Sequence, residues 1–465
     1  MLKSQIWLSY TGAFVLCILT ILNLFLINSQ IYIGITLILF YLSVLVSLGV
    51  HYKKHRFKVN PYTKFLLILA IFAIISELIW MRDQVYSFAI LSNLIHVITF
   101  IFIYTFSLKS SFHQKPYKFR PTLSKWKMIL VTLITTLATV LMVVLVINQI
   151  SPRPLVSILQ ASKGIANSYN AEESTETVLD DGSIYINDIR YDDKHPNSYL
   201  DIYQTIHNPD TAPTFIFIHG GSYIWGDKTG GDQNEHNSGI IAYMQEVLDR
   251  GYNVITMNYA FAPEYHYPTP LKQVTSAISF LKLNAKKYDL NMNNVVIAGQ
   301  SAGAQLAGQF VNIQTNSTYA DEMEIQPVLS ALEIKAVIFN SGLYDPSRFD
   351  ETDSVISDYR FNTMGRAYFN VNTFEGNKDI EQSNVIKHVT KDFPPTFMSD
   401  GNSRTFNDQA KDLKAKFTKL GVKHQLNIYS KTVVELSHGF EKKRNKYAKE
   451  NLNMQMDFLE AVVKQ

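Results

Sequence analysis

The chain has 465 residues, 47% of them hydrophobic, and a formal net charge of +3. At about 150 residues per domain this length suggests roughly three domains, and the apolar and aromatic content excludes a disordered chain. Cys17 is the only cysteine, which excludes a disulfide scaffold and a metal site built on cysteines.

The near-neutral average conceals two unlike parts. Residues 1–150 carry 13 Lys and Arg against two acids, Glu77 and Asp83, so the remainder is acidic overall. The basic excess lies between apolar runs and not on the globular part, which argues against nucleic-acid binding. Five runs, about 6–28, 31–50, 63–81, 87–107 and 128–149, meet the roughly 20 apolar residues that a helix needs to cross a bilayer core. The first run is too long for a cleaved leader, and a second follows within a few residues. Trp7, Trp80 and Trp126 fall near the expected span ends, where amphipathic rings prefer to sit.

Lys and Arg set the orientation. The 51–64 loop holds Lys53, Lys54, Arg56, Lys58 and Lys64, and the 108–127 loop holds Lys109, Lys115, Lys118, Arg120, Lys125 and Lys127; neither holds an acid. The positive-inside bias puts both in the cytoplasm, and span parity adds Lys3 and the N-terminus. Five spans then leave the chain outside after residue 150. A globular part without cysteine is compatible with that location. Glu77 and His96 fall inside spans and read as isolated polar groups, one near Trp80 and the outer interface, the other packed on a neighbouring helix. Two isolated groups form no relay and suggest no transport pathway.

Residues 151–180 show no clear period and read as a linker or amphipathic lead-in. Short β-rich runs follow at 183–191, 198–205 and 214–219. Strands and helical patterns then alternate: 253–259 before a helix at 269–287, 293–299 before one at 302–314, an apolar run at 334–342, 394–400 before a helix at 404–420, and 424–430 before a helix at 441–463. This rhythm predicts an α/β domain over 181–465, a mostly parallel sheet with helices on both faces. Residues 343–393 break it and read as an insertion, a lid or cap. No internal repeat or low-complexity tract is present.

Gly299-Gln300-Ser301-Ala302-Gly303 ends an apolar strand and opens a helix, the context that a G-x-S-x-G nucleophile elbow requires. The turn is sharp, so only small residues fit on both sides of the serine. His219-Gly220-Gly221-Ser222 ends the 214–219 run, where esterases place a glycine loop that turns backbone amides toward a developing oxyanion. His219 itself reads as structural, because the base comes later in this chain order. His438 follows the last predicted strand and is the candidate base.

Four stretches resemble the esterase/lipase branch of the α/β-hydrolase family that includes hormone-sensitive-lipase-like carboxylesterases. They are Phe217 to Tyr223 with Gly226-Asp227-Lys228, Asn258-Tyr259 with Ala262-Pro263-Glu264, Gly299 to Gly303, and Ser437-His438-Gly439-Phe440. They stand in the family's order over about residues 180–463 and do not include the membrane half. The resemblance implies an α/β-hydrolase fold and ester hydrolysis by Ser, His and an acid. Ser222 replaces the third glycine of the oxyanion loop, where only the backbone N–H matters. The family's acid lies three residues after a glycine, and counting from Gly401 that position is Arg404. Asp400, at the strand end, is the favoured acid, followed by Asp408 and then Glu435. Asp227 and Glu264 read as loop-fixing, and Tyr223 and Trp225 as either pocket or core aromatics.

These residues predict a membrane-anchored serine hydrolase. Ser301 attacks an ester carbonyl, His438 carries its proton, Asp400 orients His438, and amides of Gly220, Gly221, Ser222 and Ala302 hold the oxyanion. No cofactor or metal is required. The expected partners are an ester substrate (a small molecule, glycan or lipid) and the lipid bilayer; location beside a membrane points to an acylated envelope component. Acyl transfer on the same triad, a peptidase, and a degenerate hydrolase domain acting as a membrane sensor or assembly protein are the alternatives. Arg404 at the usual acid position favours the last of these, and intact Ser301, His438 and glycine loop oppose it.

Overall fold

The computed structural model describes residues 2–25, 30–54, 61–83, 86–112, 125–165, 167–229, 239–443 and 445–463. The chain divides into two compact units, Met1–Leu155 and Val156–Gln465.

The first unit is helical: α1 (Leu2–Phe25), α2 (Gln30–Lys54), α3 (Pro61–Asp83), α4 (Tyr86–Phe112) and α5 (Lys125–Ile150). All five apolar runs are therefore helices. Among the described residues, three stretches are long and apolar enough to cross a membrane: Lys64–Arg82, Ser87–Thr105 and Leu133–Ile150. Thr11–Leu24 and Tyr32–Val46 are shorter apolar helices. Of the basic loop residues, Lys53 and Lys54 close α2, Lys64 lies in α3, Lys109 in α4, and Lys125 and Lys127 open α5. Arg56, Lys58, Lys115, Lys118 and Arg120 lie outside the described residues. Phe14, Leu39, Phe72 and Leu137 are exposed on the bundle, whereas Asn23, Glu77, Ser92, Asn93 and His96 are buried in it.

In the second unit nine strands among the described residues form one sheet: β1 (Glu176–Val178), β2 (Ile184–Arg190), β3 (Tyr199–Gln204), β4 (Pro213–Ile218), β5 (Asn253–Met257), β6 (Asn291–Gln300), β7 (Ile334–Asn340), β8 (Thr396–Ser399) and β9 (His424–Asn427). The order is β1-β2-β3-β5-β4-β6-β7-β8-β9. The pairs from β1 to β5 are antiparallel and the rest, from β5·β4 to β8·β9, are parallel. Period-two alternation sends side chains to two cores. Ile216, Ile218, Val295, Ile297, Val337 and Phe339 enter the larger core, while Phe215, Phe217, Val296, Ala298, Ala336 and Ile338 enter the smaller one.

The helices are α6 (Arg153–Ser162), α7 (Gly239–Asp249), α8 (Thr269–Leu283), α9 (Ala302–Thr315), α10 (Ser317–Met323), α11 (Val355–Phe369), α12 (Lys378–Gln382), α13 (Val385–His388), α14 (Asn407–Leu420) and α15 (Lys446–Val463). The insertion 343–393 is thus mainly helical and holds α11, α12 and α13. The stretch 151–180 is not a free linker. Gln160 Nε2 donates to Ile224 O (2.7 Å) and Ala262 O (2.8 Å), and Asn167 both donates to Phe261 O (2.9 Å) and accepts from Phe261 N (2.6 Å). These polar side chains tie it to the loops after β4 and β5, and the apolar face of α6 adds Val156, buried in the larger core, with Leu159 and Ile165 packed beside it.

Candidate active site

Ser301 stands in the turn between β6 and α9 with φ 53° and ψ −118°. A left-handed backbone at a residue with a Cβ costs about 1–3 kcal/mol and persists only where the surroundings over-determine it. They do so here. Ser301 N donates to Asn340 O at 2.9 Å, tying the turn to β7. A Cβ on Gly299 would lie 2.3 Å from Gly303 O, and one on Gly303 would lie 2.1 Å from Ile218 O. Helix α9 therefore crosses β4 at backbone contact, and neither position admits a side chain.

The loop after β4 lies against this elbow: a Cβ on Gly220 would come 2.7 Å from Gln300 O and 3.1 Å from Ser301 Cβ. Gly221, Ser222 and Tyr223 all take positive φ, at 113°, 51° and 62°, which turns successive amides in a non-helical, non-extended path. Ala302 opens α9, so its N–H has no partner within the helix. Among the described residues, no protein acceptor engages the amides of Gly221, Ser222 or Ala302. They are available to an oxyanion beside Ser301. His219 stacks on Tyr259 with centroids 4.2 Å apart, and burial pushes its imidazole down to about 4, so it stays neutral. Below the loop, Lys228 Nζ is buried between Asp201 (2.6 Å) and Asp188 (2.9 Å), while Asp227 accepts from Thr229 and Asn258. Glu264 accepts from Asn167. Tyr223 is fully buried and stacks on Tyr368 at 3.7 Å, a core contact.

His438 comes from the loop after β9, and its Nε2 is 2.9 Å from Ser301 Oγ. The edges of Phe361, from α11, and Phe406 flank the ring, with centroids 5.4 Å and 5.6 Å away. Desolvation, with Lys442 and Arg360 adding to it, pushes the imidazole down to about 3. It is therefore a free base at neutral pH.

The acid is arranged differently from expectation. Asp400 lies at the end of β8, fully buried, but the group on His438 Nδ1 is the hydroxyl of Thr405, at 2.9 Å. Thr405 Oγ1 in turn lies 2.5 Å from Asp400 Oδ1, which also accepts from Gly401 N at 2.7 Å. The other acids weighed from sequence are engaged elsewhere: Asp408 pairs with Arg348 at 3.0 Å, and Glu435 accepts from Ser403 at 2.8 Å. Glu441 is a buried carboxyl that sequence reasoning missed. It accepts from Ser341 (2.7 Å) and Ser399 (2.8 Å), and burial pushes it up to about 7. Burial, then repulsion from Glu441, pushes Asp400 well above the usual carboxylate range. The signal for Thr405 was available only as its place beside Arg404, the position where an acid is usual. Among the described residues no three His, Cys, Asp or Glu side chains converge as metal ligands would.

Glu77 and His96, isolated in sequence, meet in the bundle. His96 Nε2 is 2.7 Å from Glu77 Oε1, its Nδ1 is 2.8 Å from Tyr41 OH, and Ser92 Oγ donates to the same carboxylate at 2.7 Å. Residues 15–19 positions apart on consecutive helices give no local pattern that would pair them.

The BD-FAE family model matches residues 200–417. A curated protein of Acanthamoeba polyphaga mimivirus, described as an alpha/beta hydrolase, is 26% identical over 170 residues, which are 36% of this chain. The chain spans 44% of that relative's length. The crystal structure of esterase B from Lactobacillus rhamnosis is similar with a TM-score of 0.51 and 22% identity, covering 63% of this chain and 89% of that one. The same esterase inhibited by a tributyrin phosphonate gives a TM-score of 0.50 and 22% identity over 62% and 89%. The second unit has the α/β-hydrolase fold that these esterases share.

Proposed function

We propose that this protein is a membrane-anchored serine esterase, related to the hormone-sensitive-lipase-like carboxylesterases through its four motifs. The observation that carries the reading is the 2.9 Å contact between His438 Nε2 and Ser301 Oγ at a strained strand–helix turn, beside unengaged loop amides. Ser301 Oγ attacks the ester carbon as its proton passes to His438 Nε2. The carbonyl π pair moves to oxygen and is held by amides of the Gly220–Ser222 loop and Ala302. Collapse expels the alcohol, protonated by His438, and leaves an acyl-Ser301 that water hydrolyses by the same proton route. Asp400 stabilises the imidazolium.

Anchoring rests on the bundle, which exposes Phe14, Leu39, Phe72 and Leu137 and buries its polar groups. That reverses the pattern of a soluble protein and suits lipid. With basic loops inside, five spans put the N-terminus in the cytoplasm and the hydrolase domain outside. The substrate proposed is an acylated envelope component, an O-acylated glycan, an acylated polymer or a lipid ester.

Labelling of the full-length protein with a fluorophosphonate tests this. Wild type is expected to label, Ser301→Ala not at all, and His438→Ala at least about 100-fold more slowly. A folded wild type that does not label overturns the reading and moves the weight to a degenerate domain.

A further inference from the structure

This inference rests on the reading of Ser301 and His438 as nucleophile and base. We infer that Thr405 is a positioning residue whose hydroxyl transmits the hold of Asp400 on His438, so that the acid sets the tautomer of the base across one interposed O–H.

Among the described residues no carboxylate is hydrogen-bonded to His438. Asp408 pairs with Arg348, Glu435 accepts from Ser403, Asp353 pairs with Lys431 and takes the Arg404 amide, and Glu441 takes Ser341 and Ser399. Thr405 Oγ1 alone bridges, 2.9 Å from His438 Nδ1 and 2.5 Å from Asp400 Oδ1. The bridge is built. Arg404 takes φ 56°, which turns residue 405 instead of 404 toward the ring. Asn402 stitches this loop to the histidine loop, donating to Tyr429 O and Val434 O at 2.8 Å each and accepting from Leu436 N at 3.0 Å. A β-branched threonine restricts χ1 further.

One hydroxyl has one proton, and this gives the bridge two states. When Thr405 donates to an ionised Asp400, it accepts from Nδ1–H. Nε2 then carries the free lone pair and takes the Ser301 proton as Oγ bonds to carbon. When Asp400 is protonated and donates to Thr405, the hydroxyl donates to Nδ1 instead. Nε2 then holds the proton and cannot act as base. No proton moves onto Asp400 in the productive cycle.

The groups facing the bridge are Glu441 and Tyr344 beside Asp400, and Lys442 and Arg360 beside His438. Burial and Glu441 hold Asp400 up, whereas His438 is held down near 3. Activity therefore rises with pH as the coupled Asp400–Thr405–His438 unit loses its proton.

The test is steady-state hydrolysis of p-nitrophenyl acetate by the full-length protein across pH, with Thr405→Val, Thr405→Ser and Ser301→Ala. Thr405→Val is expected to lower kcat about 100-fold or more, leave KM within about twofold and abolish the acid limb. Thr405→Ser is expected to restore most of kcat and the limb. If Thr405→Val does not fold, Thr405→Ser against Thr405→Ala isolates the hydroxyl in the same way. Ser301-dependent turnover with a wild-type kcat and pH profile in the hydroxyl-free variant overturns the bridge alone. Absence of Ser301-dependent turnover in wild type overturns the esterase reading beneath it.

Discussion

Glu441 is the side chain whose environment contradicts its usual charge. It is buried beside Asp400, and its two partners are serine hydroxyls instead of cations. Its carboxyl, pushed up to about 7, keeps a proton in the folded chain that the unfolded chain releases near 4.5. The stability it contributes is present at acid pH and is lost as pH rises through 7. His438, pushed down, works in the opposite direction: the unfolded chain takes its proton below about 6.5, and the folded chain refuses it to about 3. A Glu441→Gln variant keeps the histidine effect and removes the carboxyl effect. Its melting temperature minus that of wild type is expected to be larger at pH 8 than at pH 5, by roughly 2–4 °C for each kcal/mol recovered. Thermal unfolding of the full chain at the two pH values decides it, and an unchanged difference rejects the assignment.

At the scale of elements, α9 carries the most demanding packing. Its glycines differ in what they touch. A Cβ at Gly303 meets the Ile218 carbonyl of β4 at 2.1 Å, whereas one at Gly308 meets a Val385 methyl at 2.7 Å. Backbone at Ile218 cannot yield without moving the central strand, whereas Val385 stands on the four-residue helix α13, which can shift. Gly303→Ala is therefore expected to cost more than about 3 kcal/mol, or to prevent folding. Gly308→Ala is expected to cost less than about 1.5 kcal/mol, since the helix gains about 1 kcal/mol of propensity. Chemical denaturation of both variants measures this, and similar losses would remove the distinction. This helix and its strand were legible in sequence because apolar period and G-x-S-x-G agree on one turn. The strands at 214–219, 253–259 and 334–342 were legible as short, mostly apolar and β-branched or aromatic runs of strand length. Strand β1 was not, because it is three exposed residues long. Thr405 was invisible for a different reason: which of two adjacent loop residues faces His438 depends on one backbone angle at Arg404. No composition or spacing encodes that angle.

For the molecule as a whole, each of the two units has an interior of its own kind. The hydrolase unit buries alternating sheet residues, and the bundle buries the Tyr41–His96–Glu77–Ser92 cluster. Removing one partner of a buried pair leaves the other uncompensated, at a cost of about 3–5 kcal/mol. Glu77→Ala is expected to lower the unfolding transition of the bundle and leave Ser301 labelling intact. Scanning calorimetry of the full chain in detergent, with fluorophosphonate labelling of the same sample, checks both. Loss of labelling in a variant whose hydrolase transition is unmoved would show that the bundle contributes to the site.

The left-handed backbone of Ser301 has an evolutionary meaning. Glycine would occupy the same φ of 53° without strain, so the position is under a standing pull away from serine. On the proposed role of Ser301 as nucleophile, selection for turnover holds the residue in place against selection for persistence. A gene copy released from the first would gain by losing the whole side chain, Cβ included. Glycine at this position in a descendant would therefore record abandoned chemistry more directly than any change in the surrounding pocket.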